Sequence, residues 1–155
     1  MRPLHAPVLI MLARRVGVAH SWPVSEISNT TATVPAIRTT MMPRDTNAHG
    51  TIFGGHILSL IDQAGAIGAH RIGALKVVTV AMREVEFKQP VHVGDLVSCY
   101  TDVLRVGTTS ITVHVRVTAE APAEPGRGVV EVTAAEVVYV NVDDAGDPAA
   151  LVARG

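Results

Sequence analysis

The chain has 155 residues, of which 48% are hydrophobic and 17% charged, and its formal net charge is −1 at pH 7. This length suits one domain with a substantial core, and the composition and charge balance argue against a disordered chain and against a nucleic-acid-binding surface. The single cysteine, Cys99, excludes an internal disulfide framework and favours a reducing, cytoplasmic location, and no apolar run reaches the roughly 18 residues of a membrane span.

Residues 1–34 lack the apolar periodicity of a packed element. A short apolar run at residues 7–13 is followed by Arg14 and Arg15, where a secretory signal would have a small-residue cleavage site. The absence of acidic residues before Glu26 leaves a transit peptide as an alternative. The segment ends in a polar run at residues 25–33. We therefore expect residues 1–34 to be a poorly structured N-terminal extension.

A strand and a long helix are predicted next. Residues 36–42 have the pattern of a short strand, which Pro43 and the turn-forming residues 45–47 close. The helix is predicted from about Phe53 to Ile72, with Gly73 as a favourable C-cap. Its second half is rich in glycine and alanine. Because glycine costs about 1 kcal/mol inside a helix unless close packing requires it, this composition indicates a central helix.

Four strands are predicted after the helix. They cover residues 77–87, 96–104, 110–117 and 129–142, and turn residues such as Pro90, Gly94 and Gly107 separate them. Strand 110–117 alternates apolar and polar residues, which is typical of an antiparallel sheet with one buried face. This order predicts an α+β fold in which a sheet packs on one helix. The folded domain is expected to span residues 35–143, followed by a C-terminal tail of residues 144–155.

The beginning of the helix and one carboxylate within it predict chemistry. Gly54 and Gly55 leave backbone N–H groups unobstructed at a helix N-terminus, where the helix dipole favours a developing negative charge. Asp62 follows Gly55 by seven residues, about two helical turns, so both lie on nearly the same face. The helical neighbours of Asp62 are mostly apolar or small. This predicts a partly desolvated carboxylate, an environment that favours a general base.

Other nearby patterns are less specific. Asn47 has the spacing of a turn-capping residue. The histidines have neither metal-ligand spacing nor a cysteine cluster beside them, so no metal site is expected. His56, Ser59 and Asp62 are the residue types of a hydrolase triad, but the chain has no Gly-x-Ser-x-Gly elbow there. The glycine-rich run at residues 50–55 lacks the ending of a phosphate-binding loop.

Three segments in combination resemble the hotdog-fold acyl-CoA thioesterases, and in particular the small bacterial YciA-like enzymes related to brain acyl-CoA hydrolases. They are residues 43–66 (PRDTNAHGTIFGGHILSLIDQAGA), 87–95 (FKQPVHVGD) and 105–111 (RVGTTSI). The resemblance covers residues 37–142. It implies a long helix wrapped by an antiparallel sheet, two such units pairing edge to edge, and commonly a trimer of those dimers. It also implies a hydrolase of fatty acid metabolism that cleaves acyl-CoA without a metal or an organic cofactor.

The resemblance assigns catalytic roles by position. Asn47 and Asp62 match the family's catalytic pair. Phe53, Gly54 and Gly55 match the turn that receives the thioester carbonyl, where the amides would stabilise the oxyanion. The sequence leaves open whether Asp62 activates water or attacks the thioester itself.

The resemblance also assigns substrate contacts. A turn of four residues matches a segment near the CoA nucleotide: Gly107, Thr108, Thr109 and Ser110. Family members often carry a basic residue where Thr108 stands, and Arg105 is the expected substitute for that phosphate contact. His56 stands where a large apolar side chain is common, so we expect it to alter the acyl pocket.

Two alternative functions remain beside acyl-CoA hydrolysis. One is a non-catalytic hotdog module that binds acyl-CoA, and the other is a hotdog dehydratase acting on acyl thioesters. A sensor of the first kind usually carries a DNA-binding segment, and residues 1–34 show neither a helix-turn-helix pattern nor a basic stripe. We expect an enzyme with acyl-CoA as substrate, no nucleic-acid partner and no membrane span.

Overall fold

The structure is a computed structural model that describes residues 34–151. All but the last residue of the predicted N-terminal extension, and residues 152–155 of the predicted tail, lie outside the described residues. The elements are strands β1 (Ile37–Thr40), β2 (Val77–Arg83), β3 (Leu96–Val106), β4 (Ser110–Glu120) and β5 (Val129–Asn141), helix α1 (Gly54–Arg71), and short 3₁₀ turns at Pro43–Asp45 and Pro125–Arg127.

The five strands form one antiparallel sheet in the order β1-β3-β4-β5-β2. The three long strands β3, β4 and β5 are adjacent, and β2 lies at the edge beside β5. The first predicted strand after the helix is too long, because β2 ends at Arg83 rather than at residue 87. Glu84 follows with φ of 57°, a left-handed conformation that interrupts an extended chain.

The core lies between α1 and the inner face of the sheet. On β4 the inward residues Ile111, Val113 and Val115 are fully buried and pack with Ile61 of α1. Each such side chain contributes about 1.5–3 kcal/mol on burial. At Gly68 an added Cβ would lie 3.2 Å from Val113 Cγ1, so the absence of a side chain lets the helix approach the sheet closely. The small residues of the second half of α1 therefore serve close packing.

The two ends of α1 lie at opposite ends of the sheet. At the N-terminal end, Ile52 donates its N–H to the Val91 carbonyl at 2.8 Å, just before β3 begins. At the C-terminal end, Leu75 donates its N–H to Asn141 Oδ1 at 3.3 Å, and Asn141 in turn donates to the Thr109 carbonyl at 2.7 Å. The β3–β4 turn is therefore remote from the helix N-terminus of the same chain. Within residues 34–151, no helix combines the length and apolar character needed to cross a membrane.

Candidate active site

Asp62 lies in the middle of α1, half-buried, and faces β2 and β5. Thr79 of β2 donates its hydroxyl to Asp62 Oδ1 at 2.5 Å. Tyr139 of β5 donates its hydroxyl to the main-chain carbonyl of Asp62 at 2.6 Å and lies 3.5 Å from Oδ1. No hydrogen bond or ion pair within residues 34–151 uses Oδ2 of Asp62. One carboxylate oxygen is therefore held by the sheet and the other is available.

Tyr139 is almost fully buried, and its environment keeps its hydroxyl protonated. Burial raises the pKa of Tyr139 above its ordinary value of 10.0, and the nearby Asp62 carboxylate raises it further. An added Cβ at Gly65 would collide with this hydroxyl. Gly65 therefore provides the space in which Tyr139 contacts the helix at Asp62.

A β-bulge lies beside this contact. The pairing of β2 with β5 shifts register between Thr79 and Ala81, with Thr79 opposite Tyr139 and Ala81 opposite Val138. Bulges are over-represented next to active sites, where they redirect a side chain. Thr79, Tyr139 and Gly65 were not among the residues predicted from the sequence. The one local signal was a glycine at the third position after Asp62, within the small-residue half of the helix.

A second group of predicted site residues lies at the N-terminus of α1. Phe53 is the N-cap and makes no side-chain cap hydrogen bond. Among the described residues, no acceptor is hydrogen-bonded to the backbone N–H of Gly54 or Gly55. The exposed rings of Phe53 and Phe87 flank these two glycines. An added Cβ on Gly55 would lie 2.5 Å from Phe53 Cε1, and one on Gly54 would lie 3.6 Å from Phe87 Cζ. An open cleft of about 270 Å³ adjoins Gly54 and is lined in part by the apolar side chains of Ile52, Ile57 and Val91.

Asn47 and His56 lie in the same group. Asn47 Oδ1 accepts the backbone N–H of His49 at 2.8 Å and of Thr51 at 3.3 Å, and its Nδ2 donates to Thr51 Oγ1 at 2.9 Å. Its side chain therefore closes the loop that leads into α1, as its spacing predicted. His56 is half-buried, with Nε2 3.9 Å from Asp45 Oδ2. That contact is an ion pair only when the imidazole is protonated.

The turn between β3 and β4 forms the third group. Gly107 donates its N–H to the Ser110 carbonyl at 2.7 Å, and the Thr108 carbonyl accepts the N–H of Leu151 at 3.0 Å. Arg105 is exposed beside this turn. Ser110 pairs with Val140, the residue next to Tyr139, so the turn lies toward Asp62 rather than toward the helix N-terminus.

The predicted site residues of one chain therefore do not form a single site. Gly55 and Asp62 are seven residues apart. This places them about 10 Å apart along the helix axis. An oxyanion held by the N-terminal amides and a carbonyl carbon attacked from Asp62 must lie within one bond of each other, which this separation does not allow. Within residues 34–151, no cluster of three His, Cys, Asp or Glu side chains could hold a metal ion.

Comparison with known proteins identifies similar sequences. Residues 49–125 match the family described as the thioesterase superfamily. The chain is 41% identical over 133 residues to the acyl-CoA thioester hydrolase YciA of Salmonella typhimurium, an alignment that covers 85% of this chain and 100% of that protein. It is 46% identical over 116 residues to an uncharacterized acyl-CoA thioester hydrolase of Buchnera aphidicola subsp. Baizongia pistaciae, with 74% and 86% covered.

Solved structures are also similar. A hexameric hotdog fold thioesterase of Campylobacter jejuni superposes with a TM-score of 0.73 at 46% identity, covering 77% of this chain and 90% of that chain. A hexameric broad-specificity acyl-coenzyme A thioesterase superposes with a TM-score of 0.74 at 39% identity, covering 84% and 88%. An aspartate-to-alanine mutant of the latter enzyme has also been solved.

Proposed function

The chain belongs to the acyl-CoA thioester hydrolases of the thioesterase superfamily, and we propose that Asp62 carries its reaction, the hydrolysis of acyl-CoA to a free carboxylic acid and CoA. The predicted family and the predicted hotdog fold, a long helix packed on an antiparallel sheet, are confirmed. The observation that carries the proposed role of Asp62 is its geometry: a half-buried carboxylate with Oδ1 held by Thr79 and Oδ2 available.

The chemistry requires a base or nucleophile and a site for negative charge. Asp62 either accepts a proton from the attacking water or attacks the thioester carbonyl itself to form an anhydride that water then opens. In both routes the carbonyl oxygen becomes an oxyanion, and the C–S bond breaks to release CoA. The free amides of Gly54 and Gly55 are the donors for that oxyanion, and such a donor typically contributes about 3–4 kcal/mol. Water and a carboxylate suffice for these steps, so we propose that no metal or organic cofactor takes part.

Each working site is proposed to combine residues of two protomers. The separation of about 10 Å along α1 prevents Gly55 and Asp62 of one chain from acting on one carbonyl. The similar structures named above are hexameric. The outer edge of β2 carries no partner strand among the described residues, and an unpaired edge is suited to pairing with a second copy. We infer a two-fold dimer in which one protomer supplies Asp62 and the other supplies Gly54 and Gly55, and a trimer of such dimers as the assembly.

Asn47 of the protomer that supplies the amides is proposed to orient the water or the carbonyl. Its Nδ2 donates one hydrogen to Thr51 Oγ1, and the second hydrogen has no acceptor among the described residues. The loop contacts of Asn47 therefore fix the amide in place without using all of its donors. This reconciles a turn-capping role with a catalytic one.

The turn between β3 and β4 is proposed to lie along the CoA nucleotide. Arg105 is exposed there and can contact phosphate bidentately, which Thr108 cannot do. Phe53 and His56 lie beside the free amides and are proposed to border the acyl group. A cytoplasmic enzyme of fatty acid metabolism accords with this substrate and with a free, buried Cys99.

The decisive experiment is Asp62→Asn in a thiol-release assay across short to long acyl-CoAs. Asparagine is nearly isosteric and its Oδ1 can still accept the Thr79 hydroxyl, so the fold, Tm and KM should persist. Turnover should fall by at least about 100-fold, as expected for loss of a base. The matched control is Asp144→Asn, a fully exposed aspartate outside the site, which should behave as wild type.

Three results would contradict this function or its assignment. Near-normal turnover of Asp62→Asn would remove Asp62 from the reaction. A wild-type protein that binds CoA thioesters without hydrolysing them would be a binding module. Release of water from a 3-hydroxyacyl thioester, with no thiol release, would indicate a dehydratase.

A mixed-dimer experiment tests the shared site. Asn47→Ala and Asp62→Asn should each be nearly inactive alone. Unfolded together and refolded, they should form dimers of which half are mixed, and each mixed dimer has one site with both residues intact and one with neither. Activity should therefore recover to roughly a quarter of wild type under random pairing. Verified mixed dimers without recovery would place both residues in one protomer.

A further inference from the structure

We propose that Asn141 is a positioning residue for substrate binding: its side chain holds the C-terminal segment, residues 149–151, against the β3–β4 turn and so fixes the turn for the nucleotide of CoA. This inference rests on the proposed place of that turn along the CoA nucleotide. Asn141 is the last residue of β5, is buried, and does not belong to any of the three groups of predicted site residues.

The first argument is the number of segments that Asn141 joins. Its Oδ1 accepts the N–H of Leu75, in the connection between α1 and β2, at 3.3 Å. Its Nδ2 donates to the carbonyls of Ala149 at 3.0 Å and Ala150 at 3.5 Å. Its main-chain N–H donates to the Thr109 carbonyl at 2.7 Å, and its carbonyl accepts the N–H of Ala149 at 2.9 Å. One residue is therefore hydrogen-bonded to three separate segments of the chain.

The second argument is the chemistry of this side chain. Asparagine is depleted in strands, and an amide is a neutral group that presents both an acceptor and two donors. At Asn141 the acceptor faces an N–H and the donors face carbonyls. A carboxylate in its place would have no donor for the Ala149 carbonyl, and an apolar side chain would leave these main-chain groups without partners, which is costly. The contacts therefore assign Asn141 a bonding role rather than a packing role.

The third argument is the path of the chain after β5. An antiparallel bridge between Val142 and Pro148 reverses the chain, which returns alongside the end of β5. Leu151 then donates its N–H to the Thr108 carbonyl at 3.0 Å. Two successive carbonyls of the turn are thus held, that of Thr108 by the C-terminal segment and that of Thr109 by β5. The Thr108 contact therefore depends on the C-terminal segment staying in place.

A fixed turn favours binding because a loop that the substrate must order binds more weakly than one that is already ordered. Thr108 is exposed at the tip of this turn, and Arg105 is exposed beside it. None of the hydrogen bonds of Asn141 involves Asp62 or the N-terminus of α1. Loosening the turn should therefore weaken binding of the nucleotide and leave the chemical step unchanged.

The test compares acyl-CoA with acyl-pantetheine, which carries the same acyl group and lacks the nucleotide, in the assembled full-length enzyme. Asn141→Ala should raise KM for acyl-CoA roughly 5- to 20-fold at nearly unchanged kcat, the pattern of lost uniform binding, and should leave KM for acyl-pantetheine within about twofold. The matched control is Thr101→Val on β3, where the buried threonine hydroxyl has no hydrogen-bond partner among the described residues, so neither KM should change.

A second pair of variants supplies the comparison if Asn141→Ala does not fold. Leu151→Pro removes the N–H that reaches the Thr108 carbonyl, whereas Leu151→Ala loses the packing of the leucine side chain and keeps the N–H. Leu151→Pro should raise KM for acyl-CoA alone, and Leu151→Ala should stay near wild type. Equal KM values for these two variants would refute the contact between the C-terminal segment and the turn as the cause.

The outcomes separate positioning of the turn from a general structural role. An unchanged KM for acyl-CoA in Asn141→Ala overturns the proposal. An equal rise in KM for both substrates also overturns it, because the effect would then not be confined to the nucleotide. A fall in kcat at unchanged KM has the same consequence, because it would place the effect in the chemical step.

Arg105→Gln distinguishes failure of this inference from failure of the proposed function. A wild-type protein that releases no thiol from acyl-CoA refutes the hydrolysis itself. Equal wild-type KM values for acyl-CoA and acyl-pantetheine would show that the nucleotide is not recognised, which refutes the proposed place of the turn and this inference with it. A rise in KM confined to acyl-CoA in Arg105→Gln, without one in Asn141→Ala, refutes only the role of Asn141.

Discussion

Gly65→Ala is predicted to destabilise the fold through a collision with Tyr139. The added Cβ would overlap the Tyr139 hydroxyl and lie 3.0 Å from two ring carbons, Cε2 and Cζ. Tyr139 is 1% exposed on a strand flanked by β4 and β2, so its ring cannot swing into solvent. The substitution must therefore move either the helix at Asp62 or the strand at Tyr139.

The expected magnitude combines two opposing effects. Overpacking a core typically costs about 1–3 kcal/mol, and a direct overlap with a fixed group belongs at the upper end, about 3 kcal/mol. Alanine is favoured over glycine inside a helix by about 1 kcal/mol. The net loss of unfolding free energy is therefore about 2 kcal/mol, which lowers Tm by roughly 8 °C for a domain of this size. Because the displaced groups hold Asp62, kcat should fall as well.

Tyr139→Phe provides the partner in a double-mutant cycle. Alone it removes a hydrogen bond to the Asp62 carbonyl and should cost about 1 kcal/mol. In the Gly65→Ala background it also removes the hydroxyl that collides with the new Cβ. The double variant should therefore lose about 1.5 kcal/mol instead of the additive 3 kcal/mol, a coupling of about 1.5 kcal/mol.

Urea and thermal unfolding of the four proteins, with kcat measured in parallel, test this cycle. The matched control is Gly68→Ala in the same helix, whose Cβ would contact Thr101 and Val113 rather than Tyr139 and should add to Tyr139→Phe without coupling. Additivity of Gly65→Ala and Tyr139→Phe within about 0.5 kcal/mol would refute the reasoning.

Three further predictions concern other parts of the chain. Gly55→Ala should lower kcat more than Gly54→Ala, at nearly unchanged Tm. The Cβ of Gly55→Ala displaces the exposed Phe53 ring over the free amides, whereas the Cβ of Gly54→Ala makes an ordinary contact with Phe87. Equal kcat for the two variants would contradict this prediction. Burial raises the pKa of Cys99 from its ordinary value of 9.0 to about 12, so the native thiol should not react with a thiol reagent at neutral pH. Because the unfolded thiol ionises first, Cys99→Ala should lessen the loss of stability as pH rises above 9.0, and an unchanged slope of unfolding free energy against pH would count against it. Removal of residues 1–34 should leave Tm and kcat/KM within error, and a large loss of either would show that the extension contributes to the domain or the site.

Local pattern predicted the elements well where local chemistry determines them. The helix was expected at residues 53–72 and spans Gly54–Arg71, because apolar spacing and flanking glycines mark both ends. The predicted end of this strand, at residue 87, was wrong. Residues 84–87 alternate acidic and apolar side chains as a strand does, but Glu84 adopts φ of 57° and the chain leaves the sheet. The position of β2 at the sheet edge depends on pairing with the distant β5, which no local pattern encodes.

In the candidate site, too, local sequence pattern predicts some residues, whereas others are brought together only by the fold. Asp62 stands out in sequence because a lone carboxylate lies among small and apolar helix residues, and the capping contacts of Asn47 follow from its spacing within a turn. The hydrogen-bond partners of Asp62 cannot be recognised from local sequence pattern. Thr79 and Tyr139 lie 17 and 77 positions away, and only the antiparallel pairing of β2 with β5 brings their hydroxyls together at the helix.

The separation between the helix N-terminus and Asp62 also constrains how two protomers can meet. If antiparallel α1 helices related by a two-fold axis place Gly55 of one chain opposite Asp62 of the other, the axis must pass midway between these positions, at Leu58 and Ser59. Ser59 is exposed in the single chain and Leu58 is half-buried, so this part of α1 is accessible to a partner. The same axis generates both sites at once, because it also places Gly55 of the second chain opposite Asp62 of the first. With the helices arranged in this way, one two-fold axis would account for both the dimer and the shared site.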